Sequence, residues 1–349
     1  MNKRDDGGVE VSAARLLVGL AREGAPRLRR AFSNTPEGHE ALVHWLVAPG
    51  RTVRVVMEAT GLYGLDLALR LDAESNVELM VANPRAVRPF AIALMKRSKN
   101  DPIDTDVLVE FAQRMPFQRW VRPSAAALAL HALARRLESL TEMHAAEKNR
   151  LHAAQLSPAL PAAVVRDLER SLRGLERALA RLTRQAVEVI GQDPDLNLRY
   201  PLLLSACGIG PTSAVQILAQ LAVLAADLDV RQWVAQAGLD PRQYASGSSV
   251  HKKTRISKTG NRHLRRALYM PALVAIRHEP YLRAFYQHLL ERGKAKMQAL
   301  VAVMRKLLHA IFGMFKHHQP FDGAKLYCLP REITVLQPAF STAEVVCNP

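Results

Sequence analysis

An α/β segment followed by a largely helical remainder is the fold class this sequence predicts, and three observations predict it. Short β-branched runs alternate with amphipathic helices up to about residue 115. From Ser124 onward the apolar residues recur three and four apart, which is helical spacing. Proline and glycine punctuation separates the pieces.

Taken in order, Gly8 to Ser12, Leu16 to Leu20 and Arg27 to Ser33 read as three short strands. Thr35-Pro36-Glu37-Gly38 opens a helix through His44-Trp45-Leu46. Thr52 to Met57 is the clearest strand and closes on Glu58-Ala59-Thr60-Gly61. A helix through Leu65, Leu67, Leu69 and Leu71 follows, then a strand from Val77 to Ala82 that Asn83-Pro84 stops. Asp101-Pro102 reads as an N-cap with proline at the first helical position. This order is that of a ribonuclease H-like domain, here residues 8–115.

The middle segment, 120–192, predicts two long helices. Ser124 to Gln155 would span about 48 Å if continuous. After Ser157-Pro158 and Pro161, the second helix carries Val165, Leu168, Leu172, Leu175, Leu179, Leu182, Ala186 and Val189. That unbroken rhythm is a coiled-coil seam, suited to an antiparallel hairpin or to pairing with another subunit; an ordinary bundle core fits equally. A mostly helical C-terminal domain, 198–316, follows, and 319–349 reads as a proline-rich, loosely packed tail.

Lys and Arg outnumber Asp and Glu by 48 to 32, a formal charge of +16. Such an excess points to a polyanion, nucleic acid ahead of acidic protein or membrane. No stretch approaches the roughly 20 uninterrupted apolar residues of a membrane span, and no apolar signal core follows Met1. Cys207, Cys328 and Cys347 form no CxxC pair, against both a disulfide framework and a zinc site. The expectation is a cytoplasmic, nucleic-acid-directed protein.

Two constellations carry chemistry. In the first, Lys96, Arg97 and Lys99 lead into Asp101 and Asp104, a cationic run ending in paired carboxylates. Oxygen ligands suit Mg²⁺, although Asp101 as a cap and Asp104 as a dipole partner would explain the same residues. Glu10 in the first strand and Glu58 at the end of the fourth bring the acids to four. In a ribonuclease H-like sheet those strands are neighbours and the last helix crosses them, so all four can converge on a divalent cation. Asp106 falls off the shared face and reads as solvated.

In the second, seven Lys or Arg and no acid lie between Ser246 and Arg266. Lys252, Lys253, Arg255 and Lys258 precede Gly260-Asn261, a helix start from which Arg262, Arg265 and Arg266 project. Such a run contacts phosphates without reading sequence. Ser246 and Ser248 beside Gly247 are loop residues or, in a nucleic-acid enzyme, candidate nucleophiles. Gly208-Ile209-Gly210 reads either as a helix-hairpin-helix phosphate contact or as a tight turn.

The ordered set of motifs resembles the DEDD-type transposases of the insertion-sequence-110 family, relatives of the Piv DNA invertases. Gly8-Val9-Glu10-Val11-Ser12, Glu58-Ala59-Thr60-Gly61, Asn83-Pro84-Arg85 and Lys99-Asn100-Asp101-Pro102-Ile103-Asp104 match its RuvC-like domain. Gly208-Ile209-Gly210, Gly238-Leu239-Asp240-Pro241, Ser246-Gly247, Gly260-Asn261 and Leu264-Arg265 match its C-terminal transposase domain. The resemblance implies that Glu10, Glu58, Asp101 and Asp104 bind Mg²⁺, and that Ser246 forms a phosphoserine link to DNA. It further implies a structured noncoding RNA encoded beside the gene, and a homo-oligomer, dimer or tetramer. The family's first acid is usually aspartate, where this chain has Glu10. Two rival readings are a Mg²⁺-dependent junction resolvase with no covalent serine step, and an inactive nucleic-acid-binding relic.

Overall fold

The computed structural model describes residues 3–47, 49–59, 61–95, 101–157, 159–246 and 250–329. The chain divides into two compact units, Met1–Arg122 and Pro123–Pro349.

The first unit holds β1 (Lys3–Val11), β2 (Arg15–Ala21), β3 (Leu28–Ser33), α1 (Pro36–Leu46), β4 (Arg51–Glu58), α2 (Leu65–Asp72), β5 (Val77–Ala82), α3 (Pro84–Ala93) and α4 (Asp101–Arg114). Every predicted strand is present, and α3 is an additional helix. It starts where Pro84 sets φ and the Asn83 side chain accepts from the Arg85 amide at 3.0 Å. The helix at Asp101 includes Asp101 as its first residue, so it begins one position earlier than the sequence suggests.

The five strands run in the order β3-β2-β1-β4-β5. β1, β2 and β3 pair antiparallel, whereas β1, β4 and β5 are parallel, with Val9 opposite Met57. Side chains alternate between faces with period two. Val9, Val55 and Met57 pack with Leu42, Leu46, Leu67 and Leu71 of α1 and α2. On the opposite face Val56 packs with Val107, Leu108 and Phe111 of α4 and Val87 of α3.

Glycine allows α4 to lie directly on that second face. A Cβ at Gly8 would stand 2.7 Å from Leu108 Cβ, the Thr105 carbonyl oxygen and the Val109 amide nitrogen. One at Gly19 would stand 2.8 Å from Thr105 Cγ2. Arginines of the β3 side pin the helix from its flank. Arg27 reaches Glu110 at 2.8 Å, and both Arg27 and Arg29 pair with Asp106. Asp106 is therefore not a solvated bystander; its side chain is 15% exposed and secures α4 to the sheet.

The second unit contains α5 (Ala125–Gln155), α6 (Ala162–Gln192), α7 (Pro194–Ser205), α8 (Pro211–Leu221), α9 (Val230–Gln236), β6 (Pro241–Ser246), β7 (Val250–Ile256), α10 (Arg262–Ala267), α11 (Tyr269–His278), α12 (Pro280–Glu291) and α13 (Lys296–His317). Ser124 caps α5, accepting from Ala127 N–H at 3.0 Å. α5 and α6 pack along each other, and near their shared base Leu130, Ala134, Leu137, Ala186 and Ile190 join one core with α8, α11 and α13. α13 is long and apolar enough by composition to cross a membrane, yet Val303, Leu307, Leu308 and Ile311 are wholly buried in that core. The β6–β7 hairpin is a strand pair inside a segment the sequence reads as helical and loop. From Gln319 on, the first residues are packed: Phe321 N–H donates to Ser205 Oγ at 2.8 Å, and Tyr327 stacks edgewise on Phe285. Residues 330–349 of the expected tail lie outside the described residues.

Candidate active site and nucleic-acid interface

In the first unit, strand register and helix direction together decide where the four acids lie. Val9 faces Met57 across the parallel β1–β4 pair, so Glu10 and Glu58 follow at the same level on adjoining strands. Both alternate onto the face that carries Gly8 and Val56, the face α4 covers.

α4 runs antiparallel to β1. Gln113, near its C-terminus, bonds Asp6, while Thr105, Leu108 and Val109 sit over Gly8. Asp6 precedes Gly8 by two residues and Glu10 follows it by two, so the start of α4 arrives at the Glu10 end. Asp101 and Asp104 lie in that first turn. Thr105 fastens it, donating from its hydroxyl to the Asp101 carbonyl at 2.6 Å. The four acids thus share one face and one end of the sheet. Among the described residues, no three of His, Cys, Asp and Glu are grouped closely enough to hold a metal ion. The fold brings the acids to one end of the sheet without gathering them into a ligand set.

The opposite end of the same face differs in character. Asp6 is buried, one carboxylate oxygen has no partner, and burial pushes its carboxyl above the usual range against the pull of Arg4. Asp5, fully buried, is clasped by Arg22 at 3.2 Å and by Arg51. Cations thus brace the entry end of the sheet.

In the second unit, Ser246 is the last residue of β6 and pairs in register with Val250 of β7. The hairpin is rooted at its other end. Ser257 N–H donates to the Asp240 carbonyl at 2.9 Å, its hydroxyl donates to the Asp240 carboxylate at 2.5 Å, and Ile256 packs on the core. Six strand residues at about 3.3 Å each carry Ser246 roughly 20 Å from that root. Lys252 and Lys253 lie on the returning strand, and Arg255 and Lys258 are exposed near the root. Gly247, Ser248, Ser249, Lys96, Arg97 and Lys99 lie outside the described residues.

The three arginines of α10 are not equivalent. Arg262 is exposed. Arg265 is half-buried and donates to the Ala237 carbonyl at 2.8 Å, holding the end of α9. Arg266 pairs with Glu138 and Glu142 of α5. Together with Arg135, Arg262 and His263 these line a cleft of about 470 Å³. His263 Nδ1 lies 2.6 Å from Glu138, and burial, with Arg135 and Arg262, lowers its pKa against that carboxylate's pull. Residue spacing gives no sign of this grouping, because Glu138 and His263 are 125 positions apart. Gly260 makes the α10 approach possible, since a Cβ there would meet the Gln236 carbonyl oxygen at 2.1 Å. Gly208, at φ +92°, lets the α7–α8 turn press on the Pro271 carbonyl of α11, so its first role is close helix packing.

A family described as Transposase IS116/IS110/IS902 matches residues 200–287, and the DEDD transposase model of the IS110 type matches residues 16–158. Pilin gene-inverting proteins of Moraxella lacunata and Moraxella bovis are 28% identical over 295 residues, 83% of this chain and 89% of theirs. A probable family 20 transposase of Pseudomonas aeruginosa is 34% identical over 120 residues, 34% of each chain. The matches to two transposase models, with gene-inverting relatives over most of the chain, mark a DNA-recombining enzyme. Both models are of the IS110 type of transposase, which the chain resembles across residues 16–158 and 200–287.

Proposed function

We propose that this transposase cuts and rejoins DNA with Ser246 as nucleophile, with Glu10, Glu58, Asp101 and Asp104 holding Mg²⁺, and with an element-encoded structured RNA selecting the DNA. The reading treats the first unit as ribonuclease H/RuvC-like and the α5–α6 pair as a coiled-coil hairpin. The observation that carries it is the antiparallel course of α4 over β1, which delivers Asp101 and Asp104 to the sheet end of Glu10 and Glu58.

The donor set fits a hard cation, being all carboxylate oxygen. Bound there, Mg²⁺ would polarise the scissile phosphodiester and offset its developing charge. The chain's own residues do the rest. The acids come from two strands and one helix, and Glu10, Glu58, Asp101 and Asp104 would hold the cation between α4 and the sheet end. Ser246 ends a hairpin strand, and Lys252, Lys253 and Arg255 of the same hairpin would attract the phosphate backbone. The Ser246 oxygen attacks phosphorus, a sugar oxygen leaves carrying the proton, and a phosphoserine results. Attack on that phosphoserine by a sugar hydroxyl of another strand rejoins DNA and restores the serine. Exchange between two duplexes requires more than one active subunit, hence a dimer or tetramer, and acting on the chromosome places the protein in the bacterial cytoplasm.

The metal half of the proposal is tested on Asp101→Asn and Asp104→Asn. Each should abolish strand cleavage while leaving DNA binding nearly intact, and the rise in melting temperature that Mg²⁺ should give the native chain should vanish. Full cleavage in EDTA would overturn it.

A further inference from the structure

A second feature gathers at the same sheet end, on the side away from α4. Just beyond Glu58, a 3-10 turn (Gly61–Gly64) holds Tyr63 with 59% of its surface exposed. Just beyond Glu10, Ala13 lies in the turn between β1 and β2. One side chain binds these turns together. Asn34 Nδ2 donates to the Ser12 carbonyl at 2.9 Å and to the Tyr63 carbonyl at 3.0 Å, and its Oδ1 lies 2.7 Å from His39 Nε2. His39 is buried, and burial lowers its pKa, so the neutral ring donates to Asn34. The backbone beneath Tyr63 is therefore fixed while its ring faces solvent.

Beside the ring is a recess of about 420 Å³, lined by Asn34, Thr35, His39, Tyr63, Asp66 and Arg70 among others. That volume falls in the range of about 300–1,000 Å³ typical of small-molecule sites. Its charge is unlike that of a phosphate site. Arg70 is taken up by Glu40 at 2.5 and 2.8 Å, Asp66 adds a carboxylate, and His39 is neutral. The rim thus offers hydrogen-bond acceptors beside an exposed aromatic face. A nucleobase with an exocyclic amino group fits that chemistry: its ring stacks, its amino group donates, and its phosphate stays outside.

We infer that Tyr63 is a stacking platform, and the recess beside it a pocket, for one unstacked nucleobase of the DNA strand held at the carboxylate end of the sheet. The inference rests on the proposed function, since it makes Tyr63 a positioning residue for the strand presented to Glu10, Glu58, Asp101 and Asp104. Stacking on one aromatic ring strengthens single-strand binding by about fivefold or more per base.

The test is photocross-linking of the full-length protein to a single-stranded oligodeoxynucleotide carrying one 5-iodocytosine, which couples under long-wave light to an aromatic ring stacked on it. Mass spectrometry should map the adduct to Tyr63. Tyr63→Phe should keep it, and Tyr63→Leu should lose it at unchanged melting temperature, because an exposed ring contributes little to folding. Binding of that single strand should fall by about fivefold, the loss of one stacked base. Ser246→Ala and Asp101→Asn should cross-link normally, so failure of the nucleophile or metal assignment is distinguishable from failure here. Adducts only at other residues, or an undiminished yield in Tyr63→Leu, would overturn the inference.

Discussion

Substituting Gly8 by alanine probes the contact that sets the acid-bearing helix. The new Cβ would stand 2.7 Å from three α4 atoms, two of them backbone, where ordinary contact starts at 3.4 Å. No side chain can swing aside, so α4 must lift by about 0.7 Å. Overpacking of this kind costs about 1–3 kcal/mol. Amide exchange in α4 and β1 should accordingly accelerate by roughly 5- to 150-fold. Asp101 and Asp104 would move with the helix, and misplacement near 1 Å can lower catalysis by about 100-fold. Gly7→Ala is the matched control. Its Cβ faces the other side and meets only Val55 Cγ2 at 3.5 Å and more distant atoms. Hydrogen exchange by mass spectrometry and strand cleavage on the same preparations give both readings. Equal exchange and equal cleavage in Gly8→Ala and Gly7→Ala would refute the reasoning.

Three further outcomes follow from other parts of the chain. His39 has a pKa below the ordinary value of about 6.5 because it is buried, with Asp66, Glu40 and Glu37 opposing. The unfolded chain therefore takes up its proton first, so stability present above about pH 6.5 is lost as pH falls through the folded value. Hydrogen exchange in α1 should show this slope, and His39→Gln should flatten it; an identical slope in the variant would refute it. In the helical unit, Leu172→Asp with Leu179→Asp places charges where α6 packs, costing roughly 3 kcal/mol or more in thermal or denaturant unfolding. The native protein should scatter light as at least a dimer with nucleic acid bound, and a fully active monomer would contradict the assembly.

Much of the fold was legible because its signals are local. Thr52 to Met57 is rich in β-branched residues, Thr35 and Ser124 cap helices where the sequence places them, and the α6 leucines keep their spacing. The β6–β7 hairpin was missed, although Val250, Thr254 and Ile256 carry a period of two, because four Lys, Arg or His in the same strand hide it. α3 was missed because Pro89 within it reads as a breaker. The acids were found as types and spacings, and strand register with helix direction supplied their common end. Long-range pairing was not legible at all. Asp106 meets Arg29 across 77 positions, and Arg265 turns inward to Ala237 where the sequence shows only another cation in a basic run.

The central claim is that Ser246 bonds covalently to DNA. Protein incubated with labelled DNA, its RNA and Mg²⁺ should yield a slow band on a denaturing gel, and mass spectrometry should place the phosphodiester on Ser246. Ser246→Ala should bind DNA and RNA but give no band. An adduct that persists in Ser246→Ala or maps to Ser248 would contradict the assignment, and cleavage with no adduct would make the protein a resolvase-like nuclease instead.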